Sequence, residues 1–373
     1  MTLHQEETQQ MKVFLVDIVT KSTKIDILDD RMRELENLVE TYGGLVVLQR
    51  YQKLDQPDYQ TYVGKGKLEE IIEDMKRLGA NILIVGNVLK PSQIYHLNEI
   101  LRPMKAEARD RVDLILKIFG KHAESMEARL QIELASIRHM GPRIYGMGME
   151  LSRQGGGIGT SGIGETNTER MKRHLKEKAI KIETKLKEYE HMRKLHRDGR
   201  KRKGMPTVGI VGYTNAGKSS LLNALTKKNV LAENKLFATL GTHVGNLFIM
   251  DPETGRGQEI LLNDTIGFIR ELPPKLIKSF SSTLEDSIES DLLLHVIDAS
   301  DTFIQERIDV VNEILNKIWA KQKRVMVFNK IDMISPAKLK QLQENFWTEN
   351  TVRISVKNAE WLDKVKLLIQ KNI

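Results

Sequence analysis

Cysteine is absent from the 373 residues of this chain, which excludes a disulfide framework, a thiolate metal site and a cysteine nucleophile together. No apolar run approaches the roughly 20 residues that a membrane-spanning helix requires. The longest candidates, "NILIVG" and "DLLLHVIDAS", have the length of strands. The first residues, "MTLHQEETQQ", lack the basic end and apolar core of a secretory signal. A cytoplasmic chain is therefore expected, neither exported nor inserted in a membrane. What is present, 40% apolar and 29% charged residues, describes a globular protein long enough for two or three domains with ordinary cores.

The formal net charge is +8, and it comes from one place: Arg170 to Lys203 holds 15 Lys and Arg against 5 Asp and Glu. A concentrated basic patch suits a polyanionic partner, because each cation set beside a phosphate releases a condensed counterion. On charge alone, a solvated face of a long helix reads the same way.

Residues 11 to about 120 alternate strand-like runs ("MKVFLVDIV", "GGLVVLQRYQ", "NILIVGNV") with segments carrying apolar residues at three and four spacing ("DDRMRELENLVETYG", "KLEEIIEDMKRLG", "KPSQIYHLNEILR"). This predicts a small α/β domain, 1–122, with a partly parallel sheet. "YVGKGK", Tyr62 to Lys67, reads as a turn that could face phosphate. From Ala123 a helix with Met126, Leu130, Leu134 and Ile137 on one side is expected, stopping near "MGPRIYGMG". A second follows, with Leu175, Ala179, Ile182, Leu186 and Tyr189 at alternating gaps of four and three. The two predict an antiparallel helical hairpin over 123–204 that ends in a basic linker, "RDGRKRKG". The remaining residues, 205–373, alternate strands and helices with one hairpin at "DPETGRG", which predicts a doubly wound, mostly parallel six-stranded sheet.

Chemistry concentrates in that last part. "GYTNAGKS", Gly212 to Ser219, matches G-x-x-x-x-G-K-[ST] after a strand and at a helix start. Gly212 and Gly217 let the backbone N–H groups of the loop turn toward phosphate, with the helix dipole adding positive potential. Lys218 is expected between the β- and γ-phosphates and the Ser219 hydroxyl on Mg2+. "DTIG" ends the next parallel strand: Asp264 would hold the metal through water, and the Gly267 N–H would sense the γ-phosphate. "NKID" offers Asn329 and Lys330, with the Asp332 carboxylate accepting both N–H donors of guanine, which adenine lacks. "SVK", Ser355, Val356 and Lys357, would close the base pocket with a backbone N–H. Four such motifs in order predict binding of GTP and GDP.

Phe268 follows the "DxxG" glycine where many GTPases place a Gln that orients the attacking water. A phenyl ring cannot do so, which predicts unassisted hydrolysis on the order of 10⁻⁴ to 10⁻² s⁻¹ and a partner that completes the site. Asn215 would either help hold a monovalent cation such as K+ or brace the loop.

The stretches "LSRQGGGIGTSGIGET", "GYTNAGKSSLLNALT", "LFATL", "DTIGFIRELPPKLIKSFSSTLED" and "DLLLHVIDASD" resemble the HflX family of the Obg–HflX superfamily, over nearly the whole chain. The resemblance implies an N-terminal α/β domain, a helical hairpin with a glycine-rich loop, and a Ras-like GTPase domain. It also implies a protein that associates with the large ribosomal subunit and the 70S ribosome, is stimulated there, and splits ribosomes under stress. A role in ribosome assembly stays open beside splitting. A monomer is expected.

Matching the motifs residue by residue, the resemblance adds Tyr213, Thr214, Ala216, Ser220, Thr265 and Ile266 to the nucleotide contacts. "LFATL" and the glycine after it contribute Phe237, Ala238, Thr239, Leu240 and Gly241. Lys218, Thr239 and Gly267 become the catalytic set, with Thr239 on Mg2+ beside Ser219. Relatives usually continue "LFATL" with Asp, Thr and Arg, whereas this chain reads "GTHVG". If the later threonine position were the metal ligand, His243 would occupy it, with Thr242 adjacent.

Six glycines crowd Gly155 to Gly164, and Gly157, Gly159 and Gly162 spell G-x-G-x-x-G. No strand precedes them, so the dinucleotide-binding reading fails. A P-loop kinase of small molecules lacks a second substrate constellation. The glycine stretch is expected instead to be a contact or hinge element for RNA. Arg153, Gln154, Gly155, Gly156 and Gly157 would touch it, together with Lys172, Arg173, Lys201 and Arg202.

Overall fold

The structure, a computed structural model, describes residues 10–123, 125–154, 163–202, 204–226, 243–250, 255, 257–271 and 290–373. The chain divides into two compact units, Met1–Lys121 with Ile132–Thr184 and His122–Gln131 with Lys185–Ile373.

In the first unit, strands β1 (Lys12–Val19), β2 (Leu45–Lys53), β3 (Ile82–Val85) and β4 (Glu107–Asp110) alternate with helices α1 (Ile25–Tyr42), α2 (Lys65–Leu78), α3 (Pro91–Leu101) and α4 (Arg111–His122). The strand order is β2-β1-β3-β4, and every neighbouring pair is parallel. The central strands are continuous apolar runs because helices cover both faces of a parallel sheet: β3 and most of β1 are fully buried. Helix α2 turns Leu68, Ile71 and Met75 to the core and stops at Gly79, whose φ of 67° is left-handed. The sheet is parallel throughout its described strands, where the sequence suggested a partly parallel one. Its fourth strand, "EARD", has no β-branched residue to announce it; it forms because Ile82–Val85 offers a free parallel edge.

Helix α5 (Met126–Gln154) runs past the expected stop, through Pro142. A proline inside a helix costs about 3 kcal/mol; the buried residues Leu130, Ile132, Leu134 and Ala135 in the first half anchor this helix. Helix α6 (Ile163–Arg202) likewise extends through most of the expected linker, since Lys and Arg are good helix formers. Of its predicted stripe, Ile182 is buried, Leu175, Ala179 and Leu186 are half-buried, and Tyr189 is exposed. In the first unit, Arg138 with Glu183 and Lys178 with Glu133 connect α5 to α6.

The second unit contains β5 (Thr207–Gly212), α7 (Lys218–Thr226), β6 (His243–Met250), β7 (Gly257–Asp264), β8 (Leu292–Asp298), α8 (Ile304–Lys317), β9 (Lys323–Asn329), α9 (Pro336–Phe346), β10 (Thr351–Arg353) and α10 (Leu362–Asn372). The order of the six-stranded sheet is β10-β9-β8-β5-β7-β6. Among its described strands only the β6–β7 pair is antiparallel, which is the hairpin the sequence predicted. Val208, Ile210, Leu262, Leu294, Val296 and Val327 fill the core beneath α7 and α10. The four nucleotide motifs sit at the carboxyl ends of β5, β7, β9 and β10, where open α/β sheets bind ligands. Among the described residues, no helix is long and apolar enough to cross a membrane.

Candidate functional site

The loop after β5 is shaped by glycine where nothing larger fits. Gly217 has φ 95°, and a Cβ there would lie 2.3 Å from Asn329 Nδ2. Asn215, exposed, takes a left-handed φ of 61°, a conformation asparagine tolerates. Lys218 is 6% exposed and its Nζ donates to the Tyr213 carbonyl at 2.8 Å, folding the ammonium back over the loop. Burial pushes its pKa down to about 8, against the attraction of Asp264 and with a smaller push from Lys330. An ammonium held in this way gains most from a polyphosphate, which resupplies the charge that burial removed.

The Ser219 hydroxyl donates to Asp264 Oδ2 at 2.6 Å, and Asp264 is fully buried at the end of β7. One hydroxyl and one carboxylate, both hard oxygen donors, fit Mg2+, which keeps several waters and takes the rest of its shell from phosphate.

Asn329 links the phosphate and base loops. Its Nδ2 donates to the Ala216 carbonyl at 3.0 Å, and its Oδ1 accepts from the Val356 N–H at 3.2 Å. The Ser355 hydroxyl donates to Asp332 Oδ1 at 2.6 Å, fixing an otherwise exposed carboxylate. Ser355 and Glu360 exchange backbone hydrogen bonds that close this loop. Lys330, at φ 64°, reaches back to Asp298 Oδ2 at 2.7 Å. Lys357 follows Val356 at the mouth of the loop.

Beyond Asp264 the chain does not leave the phosphate loop. The Thr265 hydroxyl donates to the Ile210 carbonyl at 2.7 Å. Phe268 N–H donates to the Gly212 carbonyl at 3.0 Å, and Thr214 N–H donates to the Phe268 carbonyl at 2.8 Å. Between them, a Cβ on Gly267 would stand 2.9 Å from both Lys218 Nζ and Thr214 Cα. The Phe268 ring is 1% exposed and packs with Val211, Leu293, Val311, Ile314 and Leu315. Ile266 is buried beside this bridge.

Three residues that sequence reasoning missed support the segment. The Tyr213 hydroxyl accepts from the Arg270 N–H at 3.0 Å and from Arg307 at 3.2 Å. The Arg307 guanidinium lies 4.4 Å from the centroid of the Tyr213 ring and bonds Asp301, while Arg270 pairs with Glu306. Arg270 stood inside a quoted motif, but Arg307 and Glu306 read in sequence as ordinary charged positions of an amphipathic helix.

The sheet thus gathers Gly212 to Ser220, Asp264 to Gly267, Asn329, Lys330, Asp332 and Ser355 to Lys357 at one edge. His243 opens β6 opposite Asp264 in register. Phe237, Ala238, Thr239, Leu240, Gly241 and Thr242 lie outside the described residues, as do Gly155, Gly156 and Gly157. The side chains of Arg153, Gln154 and Lys201 are likewise outside them, whereas Lys172, Arg173 and Arg202 are exposed on α6. Helix α5 precedes the glycine stretch and α6 follows it, so no βαβ unit surrounds it.

Known proteins are similar to this chain over most of its length. Residues 29–120 match the family model described as GTP-binding GTPase N-terminal, 122–200 the GTP-binding GTPase middle region, and 207–330 the 50S ribosome-binding GTPase. GTPase HflX of Caldanaerobacter subterraneus subsp. tengcongensis is 41% identical, over 92% of this chain and 77% of its own length. That of Escherichia coli K12 is 40% identical over 81% and 70%, and that of Methanocaldococcus jannaschii 37% over 95% and 86%. The solved SsGBP–GDP complex has the same fold, with a TM-score of 0.53 and 26% identity over 97% of this chain and 98% of that one. With the phosphate-loop and guanine motifs at one sheet edge and relatives of one kind matched over most of their length, the chain belongs to the HflX family and is a GTP-binding GTPase.

Proposed function

We propose that this GTPase associates with the large ribosomal subunit, that the association accelerates its GTP hydrolysis, and that its GTP-bound form separates 70S ribosomes into subunits under stress. The observation that carries the reading is the placement of Phe268. Its ring is spent on the core, and its backbone N–H and carbonyl are spent on Gly212 and Thr214. Nothing at that position is left to orient an attacking water, which supports a reading in which a partner supplies that group. The matched model is described as a 50S ribosome-binding GTPase, and along α6 Lys172, Arg173, Lys176, Lys181, Lys185 and Lys187 are all exposed to a phosphate-bearing partner.

In this reading Lys218 would lie between the β- and γ-phosphates, the Gly267 N–H would meet the γ-phosphate, Ser219 and Thr239 would ligate Mg2+, and Asp264 would hold it through water. Asp332, Asn329 and Ser355 select guanine. Mg2+, when bound, would neutralise charge on the phosphates. Asn215 is either a K+ ligand or a brace. The chain works as an α/β part, 1–122, a helical hairpin, 123–204, and a GTPase part, 205–373.

Two measurements test the proposal. Purified large subunits should raise GTP turnover by orders of magnitude; unchanged turnover refutes the reading. Sucrose-gradient sedimentation of 70S ribosomes should show splitting with GTP or a non-hydrolysable analogue and none with GDP; binding confined to immature subunits would point to assembly instead.

A further inference from the structure

The first unit holds a second constellation that nucleotide chemistry does not use. Asp110, the last residue of β4, and Asp113, one turn into α4, are 0% and 7% exposed. They cap the helix start reciprocally: Asp113 N–H donates to Asp110 Oδ1 at 2.9 Å, and Asp110 N–H donates to Asp113 Oδ2 at 3.2 Å. The Leu89 N–H donates to Asp110 Oδ2 at 3.2 Å. Capping accounts for these contacts but not for the third member, His139 of α5, whose Nε2 lies 3.2 Å from Asp110 Oδ1 and 3.4 Å from Asp113 Oδ1. The donor atoms of all three side chains fall within 4.8 Å of one another.

Two features of this arrangement exceed a helix cap. One imidazole N–H cannot point well at two carboxylates at once, and a contact of 3.4 Å is long for a hydrogen bond. It is the separation expected of ligands that share an ion: donors about 2.0–2.2 Å from a metal stand roughly 3 Å apart in octahedral and 3.4 Å in tetrahedral geometry. Two carboxylates buried side by side also strengthen the attraction for a cation placed between them. A dication meets both at once. The site lies at the carboxyl edge of a parallel sheet, where this fold class places its ligands.

We propose that Asp110, Asp113 and His139 form a binding site for a divalent transition-metal ion of the zinc type, in which the ion fastens α5 to the β4–α4 junction. The imidazole favours such an ion over Mg2+ or Ca2+. His139 is 17% exposed, so water reaches its ring. The site is remote in sequence from Ser219 and Asp264 and uses none of their atoms.

The test uses the full chain, stripped by chelator, free of nucleotide, and dialysed against zinc chloride. Wild type and Ser219→Ala should each retain one tightly held zinc and melt at a higher temperature with zinc than without. Asp113→Asn, which keeps an oxygen acceptor for the cap, and His139→Gln should bind zinc at least about tenfold more weakly and lose the zinc-dependent rise in melting temperature. Equal zinc binding by these variants, or no stoichiometric zinc in wild type, overturns the proposal. X-ray absorption of the zinc-loaded wild type reads the site without any variant: one imidazole among oxygen donors is expected, and a shell of several imidazoles refutes it.

Discussion

Burial weakens the hold of Lys218 on its proton. Its ammonium titrates near 8 in the nucleotide-free protein, and bound phosphates stabilise the charged form and raise that value. Nucleotide binding therefore takes up a proton above pH 8, and GTP affinity should fall as pH rises, by about tenfold between pH 7 and pH 9. Isothermal titration in buffers of different ionisation enthalpy would detect the proton; a flat affinity over this range refutes the assignment. Burial shifts His295 in the same direction. It is 3% exposed on β8, and burial, with Arg324 and Lys218 adding repulsion, holds its pKa at about 3 against an ordinary 6.5. The unfolded chain takes the proton first, so the contribution of His295 to stability is intact above pH 6.5 and is lost as pH falls toward 3. Denaturant melts of His295→Gln should depend less on pH than wild type between pH 6 and pH 4, each range set by that shift.

At the scale of elements, the phosphate loop and the segment after β7 behave as one body. The Tyr213 hydroxyl accepts from Arg270 and Arg307, both buried. Tyr213→Phe takes this acceptor away from two buried donors and should destabilise the nucleotide-free protein by about 1–3 kcal/mol, measured by chemical denaturation. An unchanged midpoint would mean that the hydroxyl does not hold the segment. The bridge from Phe268 to Gly212 and Thr214 also explains why sequence reasoning identified the motifs but not their coupling. Phe268 is legible as a missing Gln, yet its burial against Val311 and Ile314 depends on where α8 packs. The ends of α5 and α6 have a local origin instead: Pro142 and Gly199 read as stop signals, but the favourable helix propensity of their neighbours, Lys and Arg among them, carries both helices through.

For the molecule as a whole, the basic segment sets the expected form of recognition. Replacing Lys176, Lys181, Lys185 and Lys187, all exposed, by Gln should weaken large-subunit binding. The logarithm of affinity should also fall less steeply with the logarithm of salt concentration, by about 0.7–0.9 for each phosphate contact removed. GTP affinity of the isolated protein should not change. An unaltered salt slope would place the contact surface elsewhere.

Residue order alone made the nucleotide motifs legible: a glycine-shaped loop ending in Gly217, Lys218 and Ser219, an Asp264 after an apolar strand, and an Asn329–Asp332 run mark a GTP-binding chain through local backbone geometry and side-chain type. It also determined the alternating fold, because buried parallel strands must be apolar runs and their covering helices must be amphipathic. Tertiary structure alone decided that β4 forms, that Phe268 is drawn into the core, that Arg307 closes on Tyr213, and that His139 meets Asp110 and Asp113 across 29 and 26 positions of chain. Each is a contact between elements distant in sequence, whose partners are set by how helices and strands pack and leave no mark in the local pattern of either.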